Sequence, residues 1–333
     1  MPFKTRVTDL LSIEHPIVMG GMTGVGTAQL AAAVSLAGGL GIMAIHNSGK
    51  PEQARKDVQL LRKLCNGKPF GVNLTILPSF DPPPYDEYAK IIIEEKVPIV
   101  ETAGSNPKKW ISLFKSNGVI TIHKCVSIRH ALKAQAMGVD IVSLDGFECA
   151  GHPGEEDVGN FVLQARGCQE LAVPYVCSGG VASGVQLAAA LALGADGVNC
   201  GTLFCATQEC NWPQSFKDRM VQSKETDTVL MLRRLNNTCR VIRNDVSAEV
   251  EEIESKKGED FQISDVMPLV NGKRGREAEA KGDPDGGIWS AGQSVGLIKD
   301  IPTVKKVVDD MVKEAENVVR TRLNSLLVVP SRL

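Results

Sequence analysis

The chain has 333 residues, of which 43% are hydrophobic and 23% charged, with a formal net charge of -2. This composition is typical of a globular protein and excludes global disorder. The near-neutral charge excludes a generic nucleic-acid binder, which needs a basic surface. The N-terminus has no secretory signal pattern and no apolar run is long enough for a membrane span, so we expect a soluble intracellular protein.

Short apolar runs alternate with helical segments from the N-terminus to about residue 205. They predict eight strands, at residues 17–19, 41–45, 70–75, 99–102, 119–124, 141–145, 175–178 and 198–200. The spacing of about 20 to 35 residues accommodates one helix and two short turns per repeat. Because parallel strands need a crossover, the alternation indicates an α/β protein, and eight such units close a (β/α)8 TIM barrel.

The pattern changes after residue 208. Residues 215–229 and 245–256 have helical, charged sequences, with no clear strands between them. We therefore predict a barrel over residues 1–208, a smaller, mostly helical domain over 209–294, and a C-terminal part, 295–333. Its final helix, residues 303–327, is expected to pack back on the barrel.

Two further segments carry predictions. Residues 77–88 contain four prolines, which predicts a long loop after the third strand that acts as a lid. The last three residues, Ser331-Arg332-Leu333, are a close variant of the S-K-L peroxisomal address. The expected location is therefore the cytoplasm, or the peroxisome if the source is eukaryotic.

The nine cysteines include no C-x-x-C pair, and without a secretory signal we expect reduced thiols. Cys149 lies three residues from His152, and Cys200, Cys205 and Cys210 recur every five residues. Neither arrangement provides four ligands at a recognised metal-binding spacing, so no metal site is assigned.

Two glycine-containing turns follow the seventh and eighth predicted strands. Ser178-Gly179-Gly180 follows the seventh and Gly201-Thr202 the eighth. In TIM barrels these two loops commonly hold a phosphate group. Glycine lets the backbone approach closely, so that N–H groups and the two hydroxyls converge on phosphate oxygens beside a helix N-terminus. Either turn alone is equally consistent with a simple chain reversal; together they predict a phosphate site.

The ends of the first and third strands suit a planar ring. Gly20-Gly21-Met22 offers a backbone surface without bulky side chains, against which a flavin can lie. Asn73 and Thr75 can hydrogen-bond the polar edge of such a ring. A strand-ending turn and a β-forming threonine are the alternatives.

Lys124 ends the fifth strand. Burying a lysine is unfavourable without an anionic partner, and a reduced flavin anion is such a partner. We therefore expect Lys124 to stabilise the reduced cofactor, with a salt bridge at the rim as the alternative.

The loop over residues 145–154 follows the sixth strand. Gly151 and Gly154 allow it to turn inward over the barrel mouth, which brings His152 towards the reactive face of the ring. A histidine of near-neutral pKa accepts a proton from a carbon acid or donates a hydrogen bond to a reducible carbonyl. An exposed loop histidine is the alternative.

Together these motifs resemble the nitronate monooxygenase family, formerly called 2-nitropropane dioxygenases, over nearly the whole chain. Residues 147–155 are similar to the branch of bacterial NADH:quinone reductases. The resemblance implies non-covalent FMN, an active site between the barrel and the smaller domain, and a role for His152 as catalytic base or substrate anchor. It also implies the residues that line the FMN: Gly21, Met22, Thr75, Lys124, Ala150, Gly151, Ser178, Gly179, Gly180, Gly201 and Thr202.

One position departs from the family. Members often have arginine after the Gly-Thr pair, where this chain has Leu203. Phosphate binding would then depend more on backbone N–H groups, with a lower FMN affinity.

The resemblance leaves two reactions open. In one, an alkyl nitronate is oxidised with O2 to a carbonyl compound and nitrite; in the other, NAD(P)H reduces the flavin, which then reduces a quinone. An FMN enoyl-carrier-protein reductase and a flavin-free phosphate-binding barrel are further alternatives. The expected partners are small molecules, with no nucleic acid or membrane, and a homodimer is left open.

Overall fold

The computed structural model describes residues 3–76 and 82–327. Eight parallel strands form a closed barrel in sequence order, with the last strand hydrogen-bonded to the first. They are β1 (Ile17–Met19), β2 (Leu40–Ala44), β3 (Phe70–Ile76), β4 (Ile99–Gly104), β5 (Ile120–Cys125), β6 (Ile141–Asp145), β7 (Tyr175–Ser178) and β8 (Val198–Asn199). The predicted TIM barrel is confirmed, and every predicted strand end lies within two residues of the observed one.

Helices surround the barrel and bury one face against it. They are α1 (Arg6–Leu11), α2 (Ala28–Leu36), α3 (Pro51–Cys65), α4 (Tyr85–Glu94), α5 (Lys108–Ser116), α6 (Ile128–Ala136), α7 (Asn160–Glu170), α8 (Gly184–Ala192) and α9 (Thr202–Cys205). In α3, for example, Pro51 occupies the first turn and Val58, Leu61 and Cys65 are buried. Proline is tolerated there because the first N–H groups of a helix have no intrahelical partner.

The proline-rich loop was predicted too long. Residues 85–88 already belong to α4, where Pro84 precedes the first helical residue and Tyr88 is buried against the barrel. A proline just before a helix does not interrupt its hydrogen bonds, so proline content alone overestimated the loop. Residues 77–81 of the predicted lid lie outside the described residues.

The predicted absence of strands after the barrel is wrong. This region holds α10 (Gln214–Gln222), β9 (Thr228–Met231), β10 (Cys239–Ile242), α11 (Asp245–Lys257), α12 (Ile263–Val270) and α13 (Gly272–Lys281). The strands β9 and β10 pair antiparallel as a hairpin, so the helix predicted over 215–229 ends at Gln222. Each strand has only four residues, which makes the alternating apolar signal too short to recognise.

The final helix, α14 (Val304–Asn317), packs on the barrel as predicted. Gly184 at the start of α8 lies so close to α14 that a Cβ there would be 2.3 Å from the carbonyl oxygen of Met311. The regular helix ends ten residues before the predicted end at residue 327, and a wider turn continues over Val318–Leu323.

The domain boundaries at residues 208 and 294 stay predictions, and Ser331-Arg332-Leu333 lies outside the described residues. Among the helices that the structure describes, none has the length and apolar character that crossing a membrane requires.

Candidate active site

A large cavity, of about 1940 Å³, opens at the carboxyl ends of the barrel strands. Active sites of TIM barrels form at this end. All twelve residues predicted from the sequence line this cavity: Gly21, Met22, Thr75, Lys124, Ala150, Gly151, His152, Ser178, Gly179, Gly180, Gly201 and Thr202. The structure therefore brings the predicted residues together in one place.

In the turn after β7, two backbone N–H groups form no hydrogen bond with the described residues. Gly179 and Gly180 have φ angles of 84° and 75°, in the left-handed region that favours glycine. The amide of Asn160 donates to the carbonyl of Gly179 at 2.6 Å, and the amide of Gln186 donates to that of Gly180 at 2.6 Å. The two N–H groups have no acceptor in the described part of the chain. The turn therefore presents donors at the cavity wall.

The turn after β8 lies beside it, because Ser178 and Asn199 are paired in register. Within the described ranges, the N–H groups of Gly201 and Thr202 also lack a protein acceptor. The hydroxyl of Thr202 accepts a hydrogen bond from the N–H of Gly292 at 3.0 Å, so its own proton remains available to an anion.

Leu203 does not face the cavity. It packs, partly buried, against the barrel core. The two turns thus supply backbone N–H groups and hydroxyls, while the position after Thr202 contributes no cationic side chain to them.

Gly21 sits above a buried polar floor. A Cβ at this position would lie 2.1 Å from the Cβ of Asn73, so no larger residue fits. The N–H of Gly21 donates to Oε2 of Glu101 at 2.8 Å, and the hydroxyl of Thr75 donates to Oδ1 of Asn73 at 2.7 Å. The glycine is required by close packing on Asn73, which itself lies below the cavity surface.

Lys124 has anionic partners within the protein. Its Nζ lies 3.9 Å from Oε1 of Glu101 and 3.9 Å from Oδ2 of Asp145. Burial lowers the pKa of Lys124, but Asp145 and Glu101 more than offset this, so the pKa is raised and the lysine stays charged. The salt-bridge alternative is therefore found, with partners inside the barrel, and the role of Lys124 towards a reduced flavin stays a prediction.

Glu101 is the functional candidate that sequence reasoning missed. Its side chain is completely buried and accepts hydrogen bonds on Oε2 from Gly21 and from the amide of Asn73, at 2.8 and 2.7 Å. Burial raises the pKa of this carboxyl group, and Lys124 opposes the increase. A charged residue in an otherwise apolar strand was the available signal, because such a residue needs buried partners.

His152 lies in a loop fixed by the hairpin. Gly151 donates to the carbonyl of Arg240 at 3.0 Å and accepts from its N–H at 2.5 Å. Gly154, at φ 82°, packs so closely on Val126 that a Cβ would come within 2.7 Å. The imidazole is open to the cavity.

The surroundings of His152 favour its neutral form. Withdrawal from bulk water lowers its pKa below the ordinary 6.5, and a hydrogen bond with Asn237 and the charge of Glu155 only partly offset this. A neutral imidazole at neutral pH has the protonation state of a general base.

Arg240 holds the other end of this loop. Its guanidinium lies 4.6 Å from the centre of the Phe147 ring and donates to the carbonyl of Phe147 at 2.9 Å. It also donates to the hydroxyl of Thr228 at 3.0 Å. Arg240 thus connects the hairpin to both Phe147 and Gly151, a role that was not predicted because the hairpin itself was not predicted.

The cavity extends beyond the glycine turns into a region with aromatic walls. Trp212, Phe216 and Trp289 pack with ring centres 5.3 to 5.7 Å apart and line it, together with the α13 residue Glu279. Typical ligand pockets measure roughly 300–1,000 Å³. The cavity of about 1940 Å³ therefore has room for more than one small molecule.

The described residues contain no group of three or more His, Cys, Asp or Glu that could hold a metal ion. All nine cysteines are free.

A closed (β/α)8 barrel with this cavity at the carboxyl ends of its strands has the architecture of a barrel enzyme. The family model for nitronate monooxygenase matches residues 4–99 and 81–314, so the chain belongs to the nitronate monooxygenase family.

Similar proteins carry several names. The structure of FabK from Thermotoga maritima shares 38% sequence identity, over 98% of this chain and 100% of that chain, with a TM-score of 0.88. The nitroalkane oxidase of Streptomyces ansochromogenes shares 26% identity over 95% and 99% of the chains, with a TM-score of 0.81. A curated relative in Rhodococcus jostii, 29% identical over 94% of this chain and 96% of its own length, is a 5-hydroxy-7a-methyl-1-oxo-octahydro-1H-indene-4-carboxyl-CoA dehydrogenase.

Proposed function

We propose that the protein is an FMN-dependent oxidoreductase that oxidises alkyl nitronates with O2 to carbonyl compounds and nitrite. One observation supports the cofactor above all: the unpaired N–H groups of Gly179, Gly180, Gly201 and Thr202 at the ends of two adjacent strands. Backbone N–H groups that line a cavity at adjacent strand ends and have no protein acceptor suit an anionic ligand. The phosphate of a mononucleotide satisfies them.

The other residues fit the rest of such a molecule. Gly21 and Met22 line the same cavity wall, and Lys124 contributes a fixed positive charge. When bound, FMN supplies a centre that accepts and donates electrons.

His152 supplies proton chemistry in the same cavity. Its neutral imidazole removes a proton from the carbon beside a nitro group and so converts a neutral nitroalkane into the nitronate. The loop geometry set by Gly151 and Arg240 keeps the imidazole at the cavity, where a substrate is bound.

The test begins with the colour of freshly purified protein and its absorbance after addition of FMN. Oxygen consumption and nitrite release are then measured with propionate 3-nitronate and with simple alkyl nitronates. We expect a yellow protein that consumes O2 and releases nitrite. A colourless protein that takes up no FMN would contradict the proposal.

The size of the cavity favours a second candidate, an NAD(P)H-dependent reductase with the same FMN site. The aromatic region around Trp212 and Trp289 offers room for a dinucleotide or a bulky acceptor. The similarity to FabK, at 38% identity, also favours a reductase. Its acceptor would be a quinone or the double bond of an enoyl thioester.

Anaerobic addition of NADH or NADPH separates the two candidates. Bleaching of the flavin followed by recolouring with benzoquinone or an enoyl thioester supports the reductase. A flavin that stays oxidised with both nucleotides but is reduced by nitronate supports nitronate oxidation.

A further inference from the structure

Three ionisable side chains on consecutive strands meet just below the cavity. Glu101 belongs to β4, Lys124 to β5 and Asp145 to β6, and we call these residues the charge triad. The Nζ of Lys124 lies 3.9 Å from a carboxylate oxygen of each of the other two. Lys124 and Asp145 line the cavity, whereas Glu101 is completely buried beneath it. No role for Glu101 follows from the reaction proposed above.

The charges of the triad do not balance. Two carboxylates and one ammonium give a net charge of -1 when all three are ionised. A further negative charge beside this triad would be unfavourable unless a buried acid took up a proton. Asp145 reaches the cavity and accepts a hydrogen bond from Ser143 at 3.0 Å.

Glu101 has one oxygen free to carry a proton. Its Oε2 accepts from the N–H of Gly21 and the amide of Asn73, at 2.8 and 2.7 Å. Its Oε1 faces two donors at longer range among the described residues, the amide of Asn199 at 3.5 Å and Lys124 at 3.9 Å. A proton on Oε1 therefore leaves the two short hydrogen bonds to Oε2 intact.

We propose that Glu101 takes up one proton from solvent when the flavin in the cavity is reduced. The inference rests on the proposed function, because it requires a bound flavin. A flavin bound in this cavity would gain one negative charge when the substrate reduces it with two electrons and one proton. The carboxylate of Glu101 then becomes a carboxylic acid, which changes the triad from -1 to 0 and keeps the combined charge at -1. Glu101 does not line the cavity, so it acts on the flavin site through its ion pair with Lys124 and is a positioning residue.

Other titratable groups near the triad are poor alternatives. His123, hydrogen-bonded to Thr102 at 2.8 Å, has its pKa lowered to about 4 by burial and stays neutral at neutral pH. Burial raises the pKa of both Cys125 and Cys149, so these thiols stay protonated. His152 faces the cavity with a lowered pKa and needs a control of its own.

The experiment counts the protons that accompany two-electron reduction of the FMN-loaded protein. The midpoint potential is measured between pH 6 and 9, and its slope with pH gives the number of protons. We expect two protons over part of this range for the wild type and one throughout for Glu101→Gln, whose amide imitates the neutral acid. The two potentials should converge at the acidic end, where Glu101 is protonated in both redox states.

Two control variants identify the group. Asp145→Asn should keep the second proton but move its uptake to lower pH, because the charge of Asp145 helps to raise the pKa of Glu101. His152→Gln should keep the second proton in the wild-type pH range. Two protons in Glu101→Gln, or loss of the second proton in His152→Gln, would overturn the proposal.

A measurement on the wild type alone covers the case in which Glu101→Gln does not fold. The infrared difference spectrum between the reduced and oxidised protein should gain the carbonyl band of a protonated carboxylic acid. Absence of that band, or one proton over the whole pH range, also overturns the proposal. A protein that binds no flavin fails at the earlier step and contradicts the proposed function instead.

Discussion

Gly151 and Arg240 exchange two backbone hydrogen bonds, of 3.0 and 2.5 Å. This bridge joins the loop that follows β6 to the hairpin strand β10. Since His152 is the next residue along the chain, its position depends on a segment outside the barrel. The hairpin therefore belongs functionally to the active site although it contributes no predicted catalytic side chain.

Replacing Arg240 by Met should disturb both stability and the His152 loop. The substitution keeps an apolar side chain but removes the hydrogen bonds to the carbonyl of Phe147 and the hydroxyl of Thr228. Leaving buried groups unsatisfied costs about 1–3 kcal/mol each. We expect a lower free energy of unfolding in urea and a lower kcat for nitroalkanes.

The matched control is Arg233→Met. Arg233 forms an exposed ion pair with Asp157 at 2.7 Å, a type of contact worth about 0–1 kcal/mol. Equal stability losses in the two variants would show that Arg240 has no special role in fixing the loop.

Replacing His152 by Gln should separate proton removal from the later steps. We expect kcat/KM for a neutral nitroalkane to fall by about 10²–10⁴, the usual contribution of a general base. The preformed nitronate needs no deprotonation and should lose much less. Both substrates are assayed by oxygen uptake, with His130→Gln at the cavity edge as the control. An equal loss for both substrates would remove the base assignment.

The pH profile of the wild type gives an independent test of the same role. The pKa of His152 is lowered below 6.5, and the neutral imidazole is the active form. Activity with a neutral nitroalkane should therefore fall as the pH drops through a value below 6.5 and should be constant above it. An inflection above 6.5 would contradict the assignment.

Thr202→Val should weaken the binding of FMN more than that of riboflavin, which lacks the phosphate. The variant keeps the shape of the side chain and removes its hydroxyl donor. Hydrogen bonds to charged groups contribute about 1.5–3 kcal/mol, or roughly a tenfold to hundredfold change in Kd. Fluorescence titration of the apoprotein with both ligands measures the difference. Thr207→Val is the control, since that buried hydroxyl donates to the carbonyl of Phe204.

The residues predicted correctly share one property, which is that a short stretch of sequence identifies them. Gly179, Gly180 and Gly201 directly follow β-forming runs, and the order of the strands in a closed barrel then brings the turns together. The positions could therefore be predicted without knowing any distance, although their role in binding FMN stays a prediction.

Glu101 and Arg240 depend instead on contacts between distant parts of the chain. The carboxylate of Glu101 contacts groups from β3, β5 and the turn after β1. These segments are far apart in the sequence, so no local pattern predicts the contacts. Arg240 lies in a four-residue strand that becomes recognisable only when it is paired with β9. Buried polar networks of this kind are specified by the tertiary structure.

The stability of the apoprotein should also report the charge of Glu101, without any cofactor. Its pKa is raised in the folded protein, whereas the unfolded chain has the ordinary value of 4.5. Between these two values the folded state binds more protons, so the wild type loses stability as the pH rises. Below pH 4.5 the acid is neutral in both states and this penalty is absent.

Glu101→Gln has no charge to bury, so its free energy of unfolding should exceed that of the wild type increasingly as the pH rises. The gain should approach about 1.4 kcal/mol for each pH unit between the two pKa values. Urea unfolding from pH 4 to 8 measures it. Glu94→Gln should instead become less stable than the wild type as the pH rises, because the hydrogen bond with Arg55 lowers the pKa of Glu94 and stabilises its ionised form. A stability difference between Glu101→Gln and the wild type that does not change with pH would mean that Glu101 keeps an ordinary pKa.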